Sequence, residues 1–357
     1  VTAGLAWLPA SQRFTPADLL YWKGRGHHAW THAASRIDTA VLGPHASAAF
    51  PEVLRPFIAP TLTRRKQFDF SDAITSHLGR AWALADPHVM FIENPHSRLV
   101  LDANRAPPEH PLLALREFYA RLQRQQAGEK VAFTGVDAIR PVTFGGEPVL
   151  IAPHDEATWL ALDVAMTEAI AQGVAVYRSA CQQVVDAVLA ARPHQSVVVI
   201  SLHDTMNTKM RSDGAIVVER PEADRLPEWV NFGNRGDAQG DEVGGEALTL
   251  PAATLRSWAA AWREAFSLPV DSSAISLNLP YRGAFETLHF GDRLRAHGGP
   301  HSGALQVEFL RETLLGPTAT QALQTPGTDW PAVDEAHITR LAIALTEAGG
   351  ALRRQAV

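Results

Sequence analysis

Short apolar runs rich in β-branched residues alternate with longer segments of helical periodicity along this chain of 357 residues. The clearest run is 196–202, containing Val197-Val198-Val199-Ile200, after a loop at Pro193. Residues 39–42, 216–219 and 304–309 read as further strands. Residues 111–126 place Leu112, Leu115, Phe118, Tyr119 and Leu122 on one helical face. Residues 157–191 read as one or two long helices bent near Gly173, residues 254–266 as another helix, and 334–354 as a last one carrying Ile338, Leu341, Ile343 and Leu345. Residues 221–250, rich in Gly, Asp and Glu, read mostly as loop and strand edges. Strands alternating with helices predict an α/β fold in three layers. With no convincing internal linker, residues 39–357 are expected to form a single α/β domain, and residues 1–38 a peripheral N-terminal extension.

Hydrophobic residues make up 46% of the chain and mean hydropathy is −0.08, which allows a large core. No uninterrupted apolar run approaches about 18 residues, so no membrane-spanning helix is expected. Residues 1–13 lack the basic start and long apolar core of a signal peptide. The one cysteine, Cys181, leaves no intrachain disulfide and no thiolate metal cluster, which fits a cytoplasmic protein. Net charge is −6 and no basic block stands out, so neither nucleic acid nor a membrane is expected as a partner. Fifteen histidines raise the prospect of a metal site.

Two histidines close strand-like runs: His45 follows residues 39–42 through a Gly43-Pro44 turn, and His203 follows 196–202. In open α/β sheets, sites gather at the carboxyl ends of strands. Two histidines and a carboxylate are a common zinc set, although spacing alone leaves each histidine open to a core or surface role. Asp72 is the candidate carboxylate, with Asp69 and Glu52 as competitors; its plainer reading is the N-cap of a helix over 73–84. Glu308 shares a strand face with Gln306, opposite Leu305, Val307 and Phe309. It reads either as a solvated strand carboxylate or as a general base. Arg98 and Arg105 flank the segment Leu99-Val100-Leu101-Asp102-Ala103-Asn104, where a guanidinium fork suits a substrate carboxylate. Residues 281–291 form a Gly-containing loop able to cover a substrate. His27, His28 and His32 read as a surface cluster, since no His-Glu-x-x-His motif accompanies them; there is also no Gly-x-Ser-x-Gly elbow, P-loop or dinucleotide fingerprint.

Read in order, these segments resemble the N-formylglutamate amidohydrolase (N-formylglutamate deformylase) family. The resemblance is carried by Pro44-His45-Ala46-Ser47 with Pro51, Ser71-Asp72, Ser97-Arg98 through Asp102-Ala103-Asn104-Arg105, and Leu202-His203-Asp204. Tyr281-Arg282-Gly283 with Thr287 and Phe290-Gly291, and Gln306-Val307-Glu308 with Arg311, complete it. It implies a three-layer αβα fold with a mixed, largely parallel sheet, of the zinc exopeptidase-like (phosphorylase/hydrolase-like) kind. It also implies one zinc held by His45, Asp72 and His203, Glu308 as catalytic base, and substrate binding by Arg98, Asn104, Arg105 and Arg282. The expected activity is cleavage of the amide of a small N-acyl amino acid such as N-formyl-glutamate. Another small carboxylate-bearing amide or peptide as substrate, or a non-catalytic ligand-binding protein on the same fold, are the alternatives. The family usually has Ser-Gly after the histidine, where this chain has Ala46-Ser47. No family assignment is made for 1–38 or 210–250, and the oligomeric state stays open.

Overall fold

A computed structural model describes residues 4–269 and 273–355. The strands, in chain order, are β1 (Trp7–Leu8), β2 (Leu20–Trp22), β3 (Thr39–Gly43), β4 (Phe50–Pro51), β5 (Val89–Glu93), β6 (Val198–Thr205), β7 (Thr208–Met210), β8 (Ile216–Glu219), β9 (Val230–Gly233), β10 (Ile275–Leu277) and β11 (Gly303–Leu310). Seven of them form the central sheet in the order β10-β9-β11-β6-β3-β5-β2. Strands β11, β6, β3 and β5 run parallel, while β9 and β2 are antiparallel to their neighbours β11 and β5. Strands β1 and β4 form a small parallel pair, and β7 and β8 an antiparallel hairpin directly after β6.

The central strands are buried on both sides, so their apolar residues divide between two cores. Ala40, Leu42, Met90, Ile92 and Val199 face one layer, with Leu115, Leu162, Met166, Tyr177 and Leu294 from the helices Pro111–Gln126, Glu156–Ala169, Ala175–Ala191 and Phe285–His297. Val41, Phe91, Ile200, Leu202, Leu305, Val307 and Phe309 face the other, with Ile74, Trp82, Trp262, Leu314 and Leu341 from Ala73–Ala85, Ala252–Ala265, Arg311–Gln324 and Glu335–Gln355. The result is the expected three-layer α/β sandwich with a mostly parallel sheet.

Several expectations need correction. The segment from Phe285 is not loop: Phe285–His297 is a helix whose buried face carries Glu286, Thr287, Phe290 and Leu294. Residues 4–38 are not wholly peripheral, because β2 extends the sheet edge and Leu19, Leu20 and Ile37 enter the core. The helical segment Glu156–Ala191, 36 residues long, is apolar enough by length and composition to cross a membrane, although no single run is unbroken. Its apolar stripe faces the core on one side of the sheet, where Leu162, Met166, Tyr177, Val184 and Val188 are buried. The bend expected near Gly173 is a π-helical turn over Ile170–Val174. A Cβ at Gly173 would lie 2.6 Å from the His96 ring, so the turn can close on His96 only with glycine there.

Candidate metal and active site

Three connections bring the site together at the carboxyl end of the parallel strands. After β3 the chain turns at Pro44, whose carbonyl accepts 2.7 Å from Asn94 Nδ2, and delivers His45. Gly43 permits this path, since a Cβ there would lie 2.8 Å from the Phe91 ring. The His45 carbonyl accepts from the Asp72 amide at 2.9 Å, which docks the start of the Ala73–Ala85 helix against the turn. Strand β6 supplies His203, and β11 lies beside it with Glu308 in register with His203, so both side chains share a face.

Asp72 does occupy the N-cap position, but its carboxylate makes no cap hydrogen bond. It turns to the histidines instead: Asp72 Oδ2 lies 3.2 Å from His45 Nδ1 and 3.0 Å from His203 Nδ1. The three donor atoms lie within 4.8 Å of one another, all on buried residues, in a group able to hold a metal ion. The competing carboxylates are elsewhere: Asp69 pairs with Arg311, and Glu52 pairs with Arg55 on the surface. His27, His28 and His32 are exposed.

The surroundings fit a cation. His45 Nε2 lies 2.6 Å from Asp102 Oδ1, an arrangement that fixes the imidazole and directs Nδ1 into the cluster. Asp102 Oδ2 accepts from Arg98 at 2.7 Å. Behind His203, Ser201 Oγ lies 2.9 Å from Nε2 and donates to Glu286 Oε2 at 2.6 Å, while Tyr177 donates to Glu286 Oε1 at 2.8 Å. With its proton given to Glu286, Ser201 is an acceptor for His203 Nε2–H. His203 Nδ1 is then a bare lone pair facing the Asp72 carboxylate, an arrangement that calls for a cation between them. Asn104 Nδ2, 3.1 Å from the same Nε2, pulls towards the other tautomer. Two imidazoles and a carboxylate suit zinc and similar divalent ions.

Charge in the cluster is set by burial and by these pairings. Burial and Arg98 push the His45 imidazole down, but Asp102 and Asp72 outweigh them and raise it. Burial alone would raise Asp72 and Asp102; the neighbouring histidines, and for Asp102 also Arg98, hold both carboxylates well below the usual range. Glu308 is pushed up to about 7 by burial, with Asp72 adding to the rise and His203 opposing it, and Gln306 Nε2 donates to its Oε2 at 2.9 Å. Beneath the cluster Arg311 bridges Asp204, Asp69 and the Ser71 carbonyl, and its NH2 group lies 3.8 Å from Asp72 Oδ1.

A cavity of about 640 Å³ opens over the cluster, and every residue singled out for the site borders it: His45, Asp72, His203, Glu308, and Arg98, Asn104, Arg105 and Arg282. The last four differ in how free they are. Arg98 is paired to Asp102. Asn104 is spent on His203 and on the Glu286 amide, whose N–H donates to its Oδ1 at 3.0 Å. Arg282 is tied to the Arg235 and Gly236 carbonyls and to Glu246. Among the described residues Arg105 keeps one terminal amino group uncommitted, since its Nε pairs with Asp137 at 3.0 Å and NH1 donates to the Asn104 carbonyl. Arg178 holds the Asn104-Arg105 turn by donating to the carbonyls of Asp102, Ala103 and Arg105.

Compared with known families, residues 39–315 match the one described as N-formylglutamate amidohydrolase. The chain belongs to that family. The family match thus begins at β3 and ends just after β11, enclosing His45, Asp72, His203 and Glu308. Among solved structures, the N-formylglutamate amidohydrolase of Ralstonia eutropha JMP134 is 15% identical, with 89% of this chain and 95% of that one covered and a TM-score of 0.48. A gene product of Agrobacterium tumefaciens is 16% identical, over 90% of this chain and 93% of that one, with a TM-score of 0.47. No curated protein matches.

Four buried residues around the cluster carried no role in the sequence reading: Asp102, Ser201, Glu286 and Arg311. Asp102 had a signal, a carboxylate four residues after Arg98, with which it pairs. Ser201 had one too, as the polar residue interrupting the apolar run 198–202, on the same strand face as His203. Glu286 was hidden by the reading of its segment as loop.

Proposed function

We propose that this member of the N-formylglutamate amidohydrolase family is a zinc-dependent hydrolase that cleaves the amide of a small N-acyl amino acid of the N-formyl-glutamate type. The observation that carries the reading is the buried His45/Asp72/His203 group with Glu308 in register beside it, bordering one cavity. A bound divalent ion would polarise the scissile carbonyl and acidify a water at the cluster.

His45, Asp72 and His203 are assigned as the ligands, held in place by Asp102 and by Ser201 with Glu286. Glu308 takes the proton of the attacking water and passes it to the leaving amine. Its raised carboxyl suits both halves of that task, because a group that titrates near neutrality can accept and release a proton. Arg105, with its free amino group, holds the substrate carboxylate beside the amide. Arg98 acts through Asp102, and Asn104 keeps its contact with His203, so both serve the substrate indirectly by shaping the site. Correct placement of the amide can supply about 7–11 kcal/mol of the barrier.

The test is Glu308→Gln, assayed by release of glutamate from N-formyl-L-glutamate beside zinc analysis. Turnover is expected to fall by roughly 10²–10⁴ with zinc content unchanged, because glutamine keeps the shape but cannot accept the proton. Near wild-type turnover in that variant would end the general-base assignment.

A further inference from the structure

Eight lysine and arginine side chains border the cavity, and most are already neutralised. Lys66 pairs with Glu147, Arg98 with Asp102, Arg105 with Asp137, Arg235 and Arg282 with Glu246, and Arg311 with Asp69 and Asp204. Lys209 and Arg220 border the same cavity, and neither forms an ion pair among the described residues. Both belong to the hairpin after β6, within or next to the 210–250 stretch that no family motif covers: Lys209 is on β7, and Arg220 follows β8 directly. The Arg220 guanidinium donates one hydrogen bond, to Thr205 Oγ1 at 3.0 Å, and its buried Nε has no partner among the described residues. Asp69, Glu312 and Tyr281 face its charge, but neither carboxylate closes to an ion pair with it.

We infer that Arg220 and Lys209 form a second anion subsite, which takes a carboxylate on the side chain of the substrate. The anchor of Arg220 gives the spacing. Thr205 lies two residues beyond His203 on β6, on the same face of the strand, a rise of about 6.6 Å. That is comparable to the reach of an extended glutamate side chain from its own amide. A guanidinium held by one hydrogen bond, with further N–H groups free, is suited to a carboxylate, and a neighbouring ammonium adds charge without demanding geometry. The subsite rests on the proposed hydrolase reading. Arg105 would meet the carboxylate next to the amide and the hairpin the one at the end of the side chain, so that Arg220 and Lys209 select for the second carboxylate of the proposed N-formyl-glutamate-type substrate.

Binding of the two possible product amino acids tests this separately from turnover. L-glutamate and L-glutamine have nearly the same shape and differ in the side-chain charge. Calorimetry on the zinc-loaded protein is expected to show L-glutamate binding at least about tenfold tighter, the scale of a charge-assisted hydrogen-bonded contact. Arg220→Met and, independently, Lys209→Met should each shrink that ratio, with Arg220→Lys retaining part of it. A ratio unchanged in both Met variants, or no binding of L-glutamate to the wild type, overturns the subsite. An active hydrolase with an unchanged ratio loses the subsite alone. A protein without turnover, whose ratio still collapses in Arg220→Met, keeps the subsite and loses the hydrolase reading.

Discussion

At the scale of single residues, the two histidines of the cluster are supported differently. On the side facing away from the cluster, His45 Nε2 rests directly on Asp102, itself held by Arg98, whereas His203 Nε2 reaches a carboxylate, Glu286, through Ser201. The indirect arm is the more vulnerable, because Asn104 opposes it at the same nitrogen. Partners of this kind are typically worth 10–100-fold in metal affinity. Ser201→Ala and Glu286→Gln are therefore expected to weaken zinc binding by about 10- to 100-fold, read by competition with a chromophoric chelator. In cobalt-substituted protein the visible absorption of the ion should shift in the same variants. Unaltered affinity and unaltered absorption in both would show that the Ser201–Glu286 pair does not orient His203.

At the scale of elements, the π-helical turn over Ile170–Val174 has a measurable consequence. It packs Gly173 against His96, which is fully buried and whose ring nitrogens find no hydrogen-bond partner of good geometry among the described residues. Burial lowers the His96 imidazole from 6.5 to about 3, only partly offset by Gln172, whose amide is spent on the Pro9 and Gln12 carbonyls. The folded protein thus favours neutral His96. Its contribution is whole above the unfolded value and is lost as pH falls from about 6.5 towards 3. By pH 4 the loss is of order 3 kcal/mol, in addition to whatever the carboxylates contribute. Urea unfolding of the wild type and of His96→Asn between pH 7 and 4 should show a slope shallower in the variant by about one proton, roughly 1.4 kcal/mol per pH unit. Parallel slopes would mean that His96 protonates freely in the folded state.

The elements also mark what could be read in the sequence. Strands with β-branched runs and helices with clean periodicity, such as Val198–Thr205 and Pro111–Gln126, were legible because burial shaped their composition. Val89–Glu93 was not singled out, although it is fully buried in the sheet between β3 and the edge strand β2, because five residues ending in Phe-Ile-Glu do not differ from a buried piece of helix. Phe285–His297 was missed because Gly291 and the preceding Pro280 and Gly283 are turn signals. Here the glycine admits close packing, since a Cβ would lie 2.7 Å from Thr249. At the cluster, the strand-end positions of His45 and His203 and the face that Glu308 shares with Gln306 were legible from the apolar pattern of the strands. Asp72, by contrast, looked like a helix cap, and only the fold turns its carboxylate towards two histidines more than a hundred residues apart in sequence.

At the scale of the whole molecule, the parallel strands converge with three connections on one end of the sheet, and almost every ionic group there is paired inside the protein. Burying so many charges is costly unless they are mutually compensated. On the proposed reading a bound cation joins the histidines and the carboxylate of the His45, Asp72 and His203 cluster, and the account depends on that point. The most direct test is to strip the protein with a chelator, then restore zinc in steps while measuring bound zinc and glutamate release from N-formyl-L-glutamate. The expected result is an inactive stripped protein whose turnover rises in proportion to bound zinc and stops at one ion per chain, with His203→Ala neither retaining the ion nor recovering turnover. Full turnover in the stripped protein, or tight one-to-one zinc binding in His203→Ala, would contradict it.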